Sequence, residues 1–330
     1  MTSISRLIAE PIIRACVLFL FVALVFAVSA VFAGVVVDAT TMFSVLQNFA
    51  MIGLVALGLG LTVLIGEFDL SVAGMFILGG CVAVIVGSNG PVFGLGVAVL
   101  IGIAGGIIPA LLMIRLGLNS VAITLGGLLT FTGIAHVLTE SKSVLFNDLS
   151  VALAMNVPVL GVFSLRSLIT IACFLAGGVL ITYTRIGRDI VATGSNRHAA
   201  RVAGVSTSHM LVGVFAVSGA LAALSGALLS FGLSAASPTG LSNVMIPAIA
   251  AVILGGGSLS GGVGHPIGIA AGVLVLAIVR SGLTVLGVSP SVHEIVTGAL
   301  LLVVAILDGP ALGERLYQFK SMVTLRVGSI

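Results

Sequence analysis

The sequence contains very little charge. Of its 330 residues, 7% are Asp, Glu, Lys or Arg, whereas 59% are hydrophobic. A typical soluble domain has about 25% charged residues, and a soluble globule of this composition could not cover its apolar surface with polar groups. The scarcity of charge therefore excludes an ordinary soluble domain and predicts an integral membrane protein. The apolar runs are long and continuous rather than alternating, which favours helices over a β-barrel.

Cysteine and lysine are also scarce. The cysteines, Cys16, Cys81 and Cys173, lie inside apolar runs at spacings that fit no metal or redox motif, so they are interpreted as small buried hydrophobic residues. The only lysines, Lys142 and Lys320, do not follow glycine, which excludes a phosphate-binding loop and hence ATP hydrolysis through one. Scattered histidines and the lack of a nucleophile-elbow motif predict no metal, no bound cofactor and no enzymatic activity. The net charge of +3 gives no indication of a nucleic-acid partner.

Ten apolar runs have the length needed to cross a bilayer. A helix rises 1.5 Å per residue and the hydrocarbon core is about 30 Å thick, so roughly 17 to 25 residues suffice. The first run follows Arg6 and Arg14 and is too long for a signal peptide, so we expect it to remain in the protein. The fold is thus predicted to be all-α and polytopic, one transmembrane domain over residues 1–330, with some helices broken or re-entrant. The runs lie at about 12–33, 44–65, 70–87, 91–114, 119–138, 166–184, 210–232, 244–261, 265–287 and 291–308.

The basic residues indicate the orientation of these runs. If the N-terminus is cytoplasmic and every run crosses, far more basic residues face the cytoplasm than the outside, while Arg280 lies within a helix. Because Lys and Arg accumulate in cytoplasmic loops, both termini are predicted to be cytoplasmic. The inward group is Arg6, Arg14, Arg115, Arg185, Arg188, Arg197, Arg201, Arg315, Lys320 and Arg326, and the outward pair is Lys142 and Arg166.

Glycine is abundant, with 44 residues. Small residues let membrane helices approach closely, so we expect glycines such as Gly102 and Gly106 to serve helix packing. A possible internal repeat is indicated by AITLGG at 122–127 and AVILGG at 251–256, each before an interruption in an apolar run. The mixed residues of 139–165 predict short elements on the membrane surface.

The stretch IGEFDLSVAG, at 65–74, brings two carboxylates into an otherwise uncharged region. One interpretation is a broken helix that presents polar groups to a solute path. The alternative is a turn near the cytoplasmic surface, in which Asp69 or Ser71 caps the next helix and Phe68 packs against its start. The candidate pathway or gating residues are Glu67, Phe68, Asp69 and Ser71.

Two further regions place polar residues within apolar runs. Arg280 either faces a solute path or a helix interface, or snorkels towards the outer surface. Between residues 234 and 268, prolines such as Pro247 and a glycine cluster are expected to break helices. Small polar side chains there either bind a hydroxylated solute or cap helix ends, and Asn243 and Ser258 are the candidate pathway residues among them.

Four basic residues lie together in RIGRDIVATGSNRHAARVAGVS, residues 185–206. We expect Gly187 to form a flexible exit from the preceding helix. Ser195 or Asn196 can cap a short helix over 197–203, which Gly204 would end. Such a helix, about 12 Å long, needs outside support. Anionic lipid headgroups or a docked cytoplasmic protein could provide it.

The short helix is expected to have two different faces. Ala199, Val202 and Ala203 share one face by their spacing, and Arg197 and Arg201 share another. The first face would be small and smooth. It is therefore the part of the helix that suits docking.

Several motifs together resemble one known family. GRDIVATGSNRHAARVAGV, GEFDLSVAG, SAASPTG, AAVILGGGSLSGGVG and LGVSPSVHEIVTGALLLVVAILD are similar, in this order, to the ribose-type (simple-sugar) ABC importer permeases, which are related to branched-chain amino-acid permeases. The resemblance covers about residues 44–308. The family usually has Gly and Ile where this chain has Glu67 and Phe68, Gly in place of Ala73, and more often Thr in place of Gly257.

The resemblance implies a homodimer of ten-helix subunits in the bacterial inner membrane. It also implies two partners, a cytoplasmic ABC ATPase with two cassettes, which uses the ATP, and an extracytoplasmic solute-binding protein. Residues 185–209 would hold the coupling loop, whose helix sits in a groove of the ATPase. The candidate coupling residues are Gly187, Arg188, Gly194, Asn196, Arg197, Ala199, Ala200, Arg201 and Gly204.

We therefore expect the transmembrane subunit of an ATP-driven importer for a small neutral hydroxylated solute, a simple sugar such as a pentose or hexose. The low charge of the spans suits such a solute, which needs hydroxyl and amide partners. A bulky charged residue at Ala200 is expected to uncouple hydrolysis from transport. The alternatives are a nucleoside or sugar-derived autoinducer as solute, an ion-coupled secondary transporter, and a membrane-embedded enzyme or scaffold.

Overall fold

The computed structural model describes residues 38–239 and 244–308, together with Leu20. These residues form an all-α membrane fold, as predicted. The helices are α1 (Ala39–Leu64), α2 (Ser71–Gly87), α3 (Pro91–Leu116), α4 (Ser120–Leu138), α5 (Leu149–Asn156), α6 (Leu165–Tyr183), α7 (Arg185–Ser195), α8 (Arg197–Val202), α9 (Thr207–Leu233), α10 (Met245–Leu254), α11 (Pro266–Val285) and α12 (Pro290–Asp308). Two short strands, β1 (Val144–Leu145) and β2 (Ala235–Ala236), pair antiparallel.

Six of the described helices are long and apolar enough to cross a bilayer, namely α1, α3, α4, α6, α9 and α11. Three shorter apolar stretches accompany them, in α2, α10 and α12. The predicted run at 12–33 lies outside the described residues, apart from Leu20. The count of about ten transmembrane helices therefore stays a prediction.

The apolar run at 244–261 forms a short helix rather than one full helical span, as expected for a broken or re-entrant segment. Helix α10 has 10 residues, which is about 15 Å of helix, or half of the hydrocarbon core. It ends because the chain turns at the glycine cluster, where Gly256 has a φ of +82°. Pro247, which was expected to break a helix, lies in the first turn of α10, where proline is tolerated.

Local capping fixes most helix starts. The Asp38 carboxylate accepts a hydrogen bond from the Thr41 amide at 2.9 Å and begins α1. Asn119 and Asp148 accept in the same way at the starts of α4 and α5, and Ser164 and Ser167 form a capping box on α6. The segment between α4 and α6 contains β1 and α5, so the predicted short elements are confirmed.

Helix α9 lies at the centre of the packing, against α1, α2 and α3. Glycines make this possible, because the backbone of Gly106 approaches Phe215 and that of Gly102 approaches Gly219. The expected packing role of Gly102 and Gly106 is confirmed. Residues 122–127 lie inside continuous α4 whereas 251–256 end α10, and the internal repeat stays a prediction.

The bundle has two ends that differ in chemistry. We call the first the Arg-rich end; it contains the α1–α2 turn, α7, α8 and the loop 255–264. The second, the opposite end, contains the start of α1, α5, the start of α6 and the end of α9, which are joined by side-chain hydrogen bonds.

Candidate functional site

The stretch 185–206 forms two helices rather than a loop with one helix. Helix α7 covers Arg185–Ser195, and α8 covers Arg197–Val202. Asn196 between them is extended, and its side chain accepts a hydrogen bond from the Ala199 amide at 2.9 Å. Gly204 follows α8 with a φ of +87°. The predicted short helix, its Asn196 cap and its glycine stop are confirmed.

Gly187 does not form a flexible exit, so this prediction is wrong. It is buried in the first turn of α7, and its amide donates to the Thr184 hydroxyl at 3.1 Å. A Cβ atom there would overlap the carbonyl oxygens of Leu180 and Ile181. Gly187 therefore allows a close turn between α6 and α7.

Only one of the small residues of α8 faces the bundle. Ala200 is 4% exposed, whereas Ala199, Val202 and Ala203 are exposed, as is Arg201. The predicted small apolar face is thus confirmed as a free surface of the described chain. Ala200 lies beneath it, so a bulky charged residue at Ala200 would disturb the seating of α8 rather than probe a docked partner.

Backbone from three distant parts of the chain meets at the end of α7. The Gly262 amide donates to the Leu64 carbonyl at 3.0 Å. A Cβ atom on Gly194 would overlap that carbonyl, and one on Gly261 would lie 2.6 Å from the Gly66 Cα. We call Gly66, Gly194, Gly261 and Gly262 the glycine junction. It connects the end of α7 to the α1–α2 turn and to the loop that follows α10.

An ion pair lies beside the glycine junction. The Arg197 Nη2 atom is 2.7 Å from the Glu67 Oε1 atom, and their side chains are 38% and 14% exposed. Both residues line a cleft of about 280 Å³ whose walls also include Met113, Arg201 and Ser208. The structure thus brings Glu67, a candidate pathway residue, next to the candidate coupling residues.

Asp69 anchors the α1–α2 turn. It is fully buried and accepts hydrogen bonds from the Ser71 amide at 3.0 Å, the Ser71 hydroxyl at 2.5 Å and the Ser218 hydroxyl of α9 at 3.1 Å. Burial raises the pKa of this carboxyl, and the hydrogen bonds from Ser71 and Ser218 offset part of that rise. The turn interpretation therefore describes the local structure, with Phe68 held by Ser120 and Thr124.

The remaining candidates lie in separate places. Ser258 forms part of the loop 255–264, where its hydroxyl lies 2.6 Å from that of Ser260. Arg280 is half-buried in α11 and lines a cavity of about 70 Å³ together with Glu294 and Thr297 of α12. Asn243 lies outside the described residues. Exposed Arg188 is on α7.

A polar network at the opposite end was not foreseen from the sequence. Arg166 is 8% exposed, and its Nη2 atom donates to the Asn156 side chain at 2.8 Å. Asn156 donates to the Gly232 carbonyl at 2.8 Å, and Gln47 accepts from the Ser164 hydroxyl at 3.2 Å. Isolated Gln, Asn and Arg next to apolar runs were the available signal, but their helices are far apart in sequence.

Comparisons with known proteins agree with this architecture. A family model described as "Branched-chain amino acid transport system / permease component" matches residues 41–305. The ribose import permease protein RbsC of Escherichia coli strain K12 is 30% identical over 282 residues, which cover 81% of this chain and 85% of the relative. The L-arabinose transport system permease protein AraH of the same strain is 30% identical over 269 residues, with 78% and 79% covered.

The chain belongs to the ribose-type sugar ABC importer permease family. RbsC of Bacillus subtilis strain 168 is also 30% identical, over 274 residues that cover 80% of this chain and 83% of the relative. No solved structure matches the chain significantly. This permease is a multi-pass protein of the inner membrane. Among the residues for which the structure gives positions, no group of three or more His, Cys, Asp or Glu is arranged to hold a metal ion.

Proposed function

We propose that this permease is the transmembrane subunit of an ATP-driven importer for a simple sugar such as a pentose or hexose. The curated relatives support this proposal, because their names assign them to ribose and L-arabinose transport. A nucleoside or a sugar-derived autoinducer remains the alternative solute. No ATP or other cofactor is expected to bind to this chain itself.

The observation that carries the proposed mechanism is the position of α8. Its apolar residues Ala199 and Val202 are exposed and Ala200 is buried, while the glycine junction packs the end of the preceding helix, α7, against the α1–α2 turn and the loop that follows α10. A short helix with an exposed apolar face, joined to the bundle through α7 and α9, suits a part that receives force. We propose that a cytoplasmic ABC ATPase with two cassettes docks on it, and that residues 185–209 form the coupling loop.

The proposal also specifies the orientation of the permease in the membrane and its other partners. The Arg-rich end would face the cytoplasm, in keeping with the accumulation of basic residues there, and both termini would be cytoplasmic. The opposite end would receive solute from an extracytoplasmic binding protein. A second copy of the permease would complete the transmembrane pathway.

Reconstitution tests the proposal. The permease, its ATPase and its binding protein in proteoliposomes should take up radiolabelled pentose or hexose only when ATP is supplied. The matched control lacks the ATPase and carries an ion gradient instead. Uptake driven by that gradient alone would support a secondary transporter and contradict the proposal.

Cross-linking tests the docking surface independently. A cysteine at Val202, which is 78% exposed, should cross-link to the ATPase. A cysteine at Leu153, which is 66% exposed on α5 at the opposite end, serves as the matched control. Equal cross-linking at both positions, or none at Val202, would show that α8 is not the docking surface.

A further inference from the structure

The Glu67–Arg197 ion pair is the contact at the Arg-rich end to which the proposed function assigns no role. It joins residues that are far apart in sequence, one in the α1–α2 turn and one in the first turn of α8. Glu67 is largely buried, at 14% side-chain exposure. Solvent and salt therefore screen its attraction to Arg197 less than they would in a fully exposed pair. In a chain with 7% charged residues, a carboxylate in this position needs such a partner.

Helix α8 has few other attachments to the rest of the bundle. It has six residues, too few to be stable as an isolated helix. Its helical neighbours are α7 and α9. The extended residue Asn196 separates α8 from α7. The ion pair adds a side-chain connection from α8 directly to the α1–α2 turn.

The α1–α2 turn is itself held firmly in place. The Glu67 amide donates to the Thr62 carbonyl at 2.9 Å, which ties it to the end of α1. Two residues later, Asp69 accepts hydrogen bonds from Ser71 at the start of α2 and from Ser218 of α9. A displacement of Glu67 therefore reaches three helices that form the centre of the bundle.

We propose that Glu67 and Arg197 are positioning residues that transmit movement of α8 to the α1–α2 turn during transport. The inference rests on the proposed function, in which α8 receives force from the ATPase. Without the ion pair, α8 would still dock, but part of its displacement would be lost before it reached α1 and α2. The expected consequence is ATP hydrolysis with less transport per ATP.

Hydrogen–deuterium exchange of the permease alone tests whether the pair holds α8. In Glu67→Gln and Arg197→Gln, the amides of residues 197–203 should exchange about two- to fivefold faster, the range expected for one ion pair of limited exposure. The control is Lys142→Gln, which removes the exposed Lys142–Glu140 pair at 3.1 Å and should leave this segment unchanged. Unchanged exchange in both single variants would overturn the proposal.

Transport per ATP tests whether the pair transmits movement. In proteoliposomes with ATPase and binding protein, each single variant should consume roughly two- to fivefold more ATP per solute. The double variant should be no worse than either single one, because the two residues act through one another. Wild-type coupling in the single variants, or losses that multiply in the double variant, would overturn the proposal. If the wild type itself shows no ATP-driven uptake, the proposed function fails, and the exchange experiment still decides the link.

Discussion

The two ends of the bundle are held together in different ways. At the Arg-rich end, backbone meets backbone at the glycine junction, and the Glu67–Arg197 pair lies beside it. At the opposite end, the side chain of half-buried Asn156 hydrogen-bonds to half-buried Gln47 and to buried Arg166. Backbone contacts through glycine leave no room for an added side chain, and they do not depend on charged groups. Side-chain networks tolerate small shifts but fail when one partner is lost.

The largest effect is expected from filling the glycine junction. Gly194→Val places carbon atoms where the Leu64 carbonyl lies, so we expect a loss of about 3 kcal/mol or more in the free energy of unfolding. Denaturant unfolding in detergent measures it. Gly213→Ala, in α9, is the matched control, because nothing lies within 4 Å of its Cβ position. Similar losses in both variants would mean that the junction is no tighter than an ordinary helix surface.

Removing a hydrogen bond from the polar network at the opposite end should lower the free energy of unfolding by somewhat less. Arg166→Met retains side-chain length but removes the donor to Asn156, a charged hydrogen bond worth roughly 2 kcal/mol. The same unfolding experiment applies, with Arg188→Met on the exposed face of α7 expected to change stability by less than about 0.5 kcal/mol. If Arg166→Met is as stable as the wild type, the network does not hold this end together.

Two adjacent alanines sharpen the description of α8. Ala200→Leu should destabilise the fold by about 1 to 2 kcal/mol, because Ala200 is 4% exposed and overpacking a buried position is unfavourable. Ala199→Leu, on the exposed face, should leave the permease stable but reduce its copurification with the ATPase. The reverse pattern would show that α8 faces the bundle with the other side.

The smallest expected effect is a pH dependence at the Arg-rich end. His265 caps α11, accepting from the Ile267 amide at 3.2 Å, and its other ring nitrogen lies 2.8 Å from the Thr182 hydroxyl. Burial lowers the pKa of His265, so the folded protein binds this proton less tightly than the unfolded chain. The contribution to stability is therefore present above the unfolded pKa of about 6.5 and is lost as pH falls through the lower folded value.

Unfolding measured between pH 7 and pH 5 checks this. His265→Asn, which keeps a capping side chain, should flatten the pH dependence of the free energy of unfolding between pH 7 and pH 5. The hydrogen bonds of Arg166 and Asn156 at the opposite end involve no group that titrates in this range. An unchanged pH profile in the variant would exclude His265 as its source.

Most of the helices were predictable because each depends on local information. Continuous apolar runs predicted all the long described helices, and Asn196 and Gly204 marked the limits of α8. The predictions failed where a residue's role depends on how its helix packs against other parts of the chain. Gly187 resembled a hinge but packs against the end of α6, and Ala200 resembled a docking residue but faces inward.

The sequence by itself determined the membrane class, the helical fold, the family and the short helix α8. Each follows from composition, from runs of apolar residues or from motifs within a few residues of one another. Only the tertiary structure decided that Glu67 pairs with Arg197, that Gly194 meets Leu64, and that Asn156 donates to the Gly232 carbonyl. The physical reason is that these contacts join segments far apart along the chain, and helix packing, rather than local preference, brings them together.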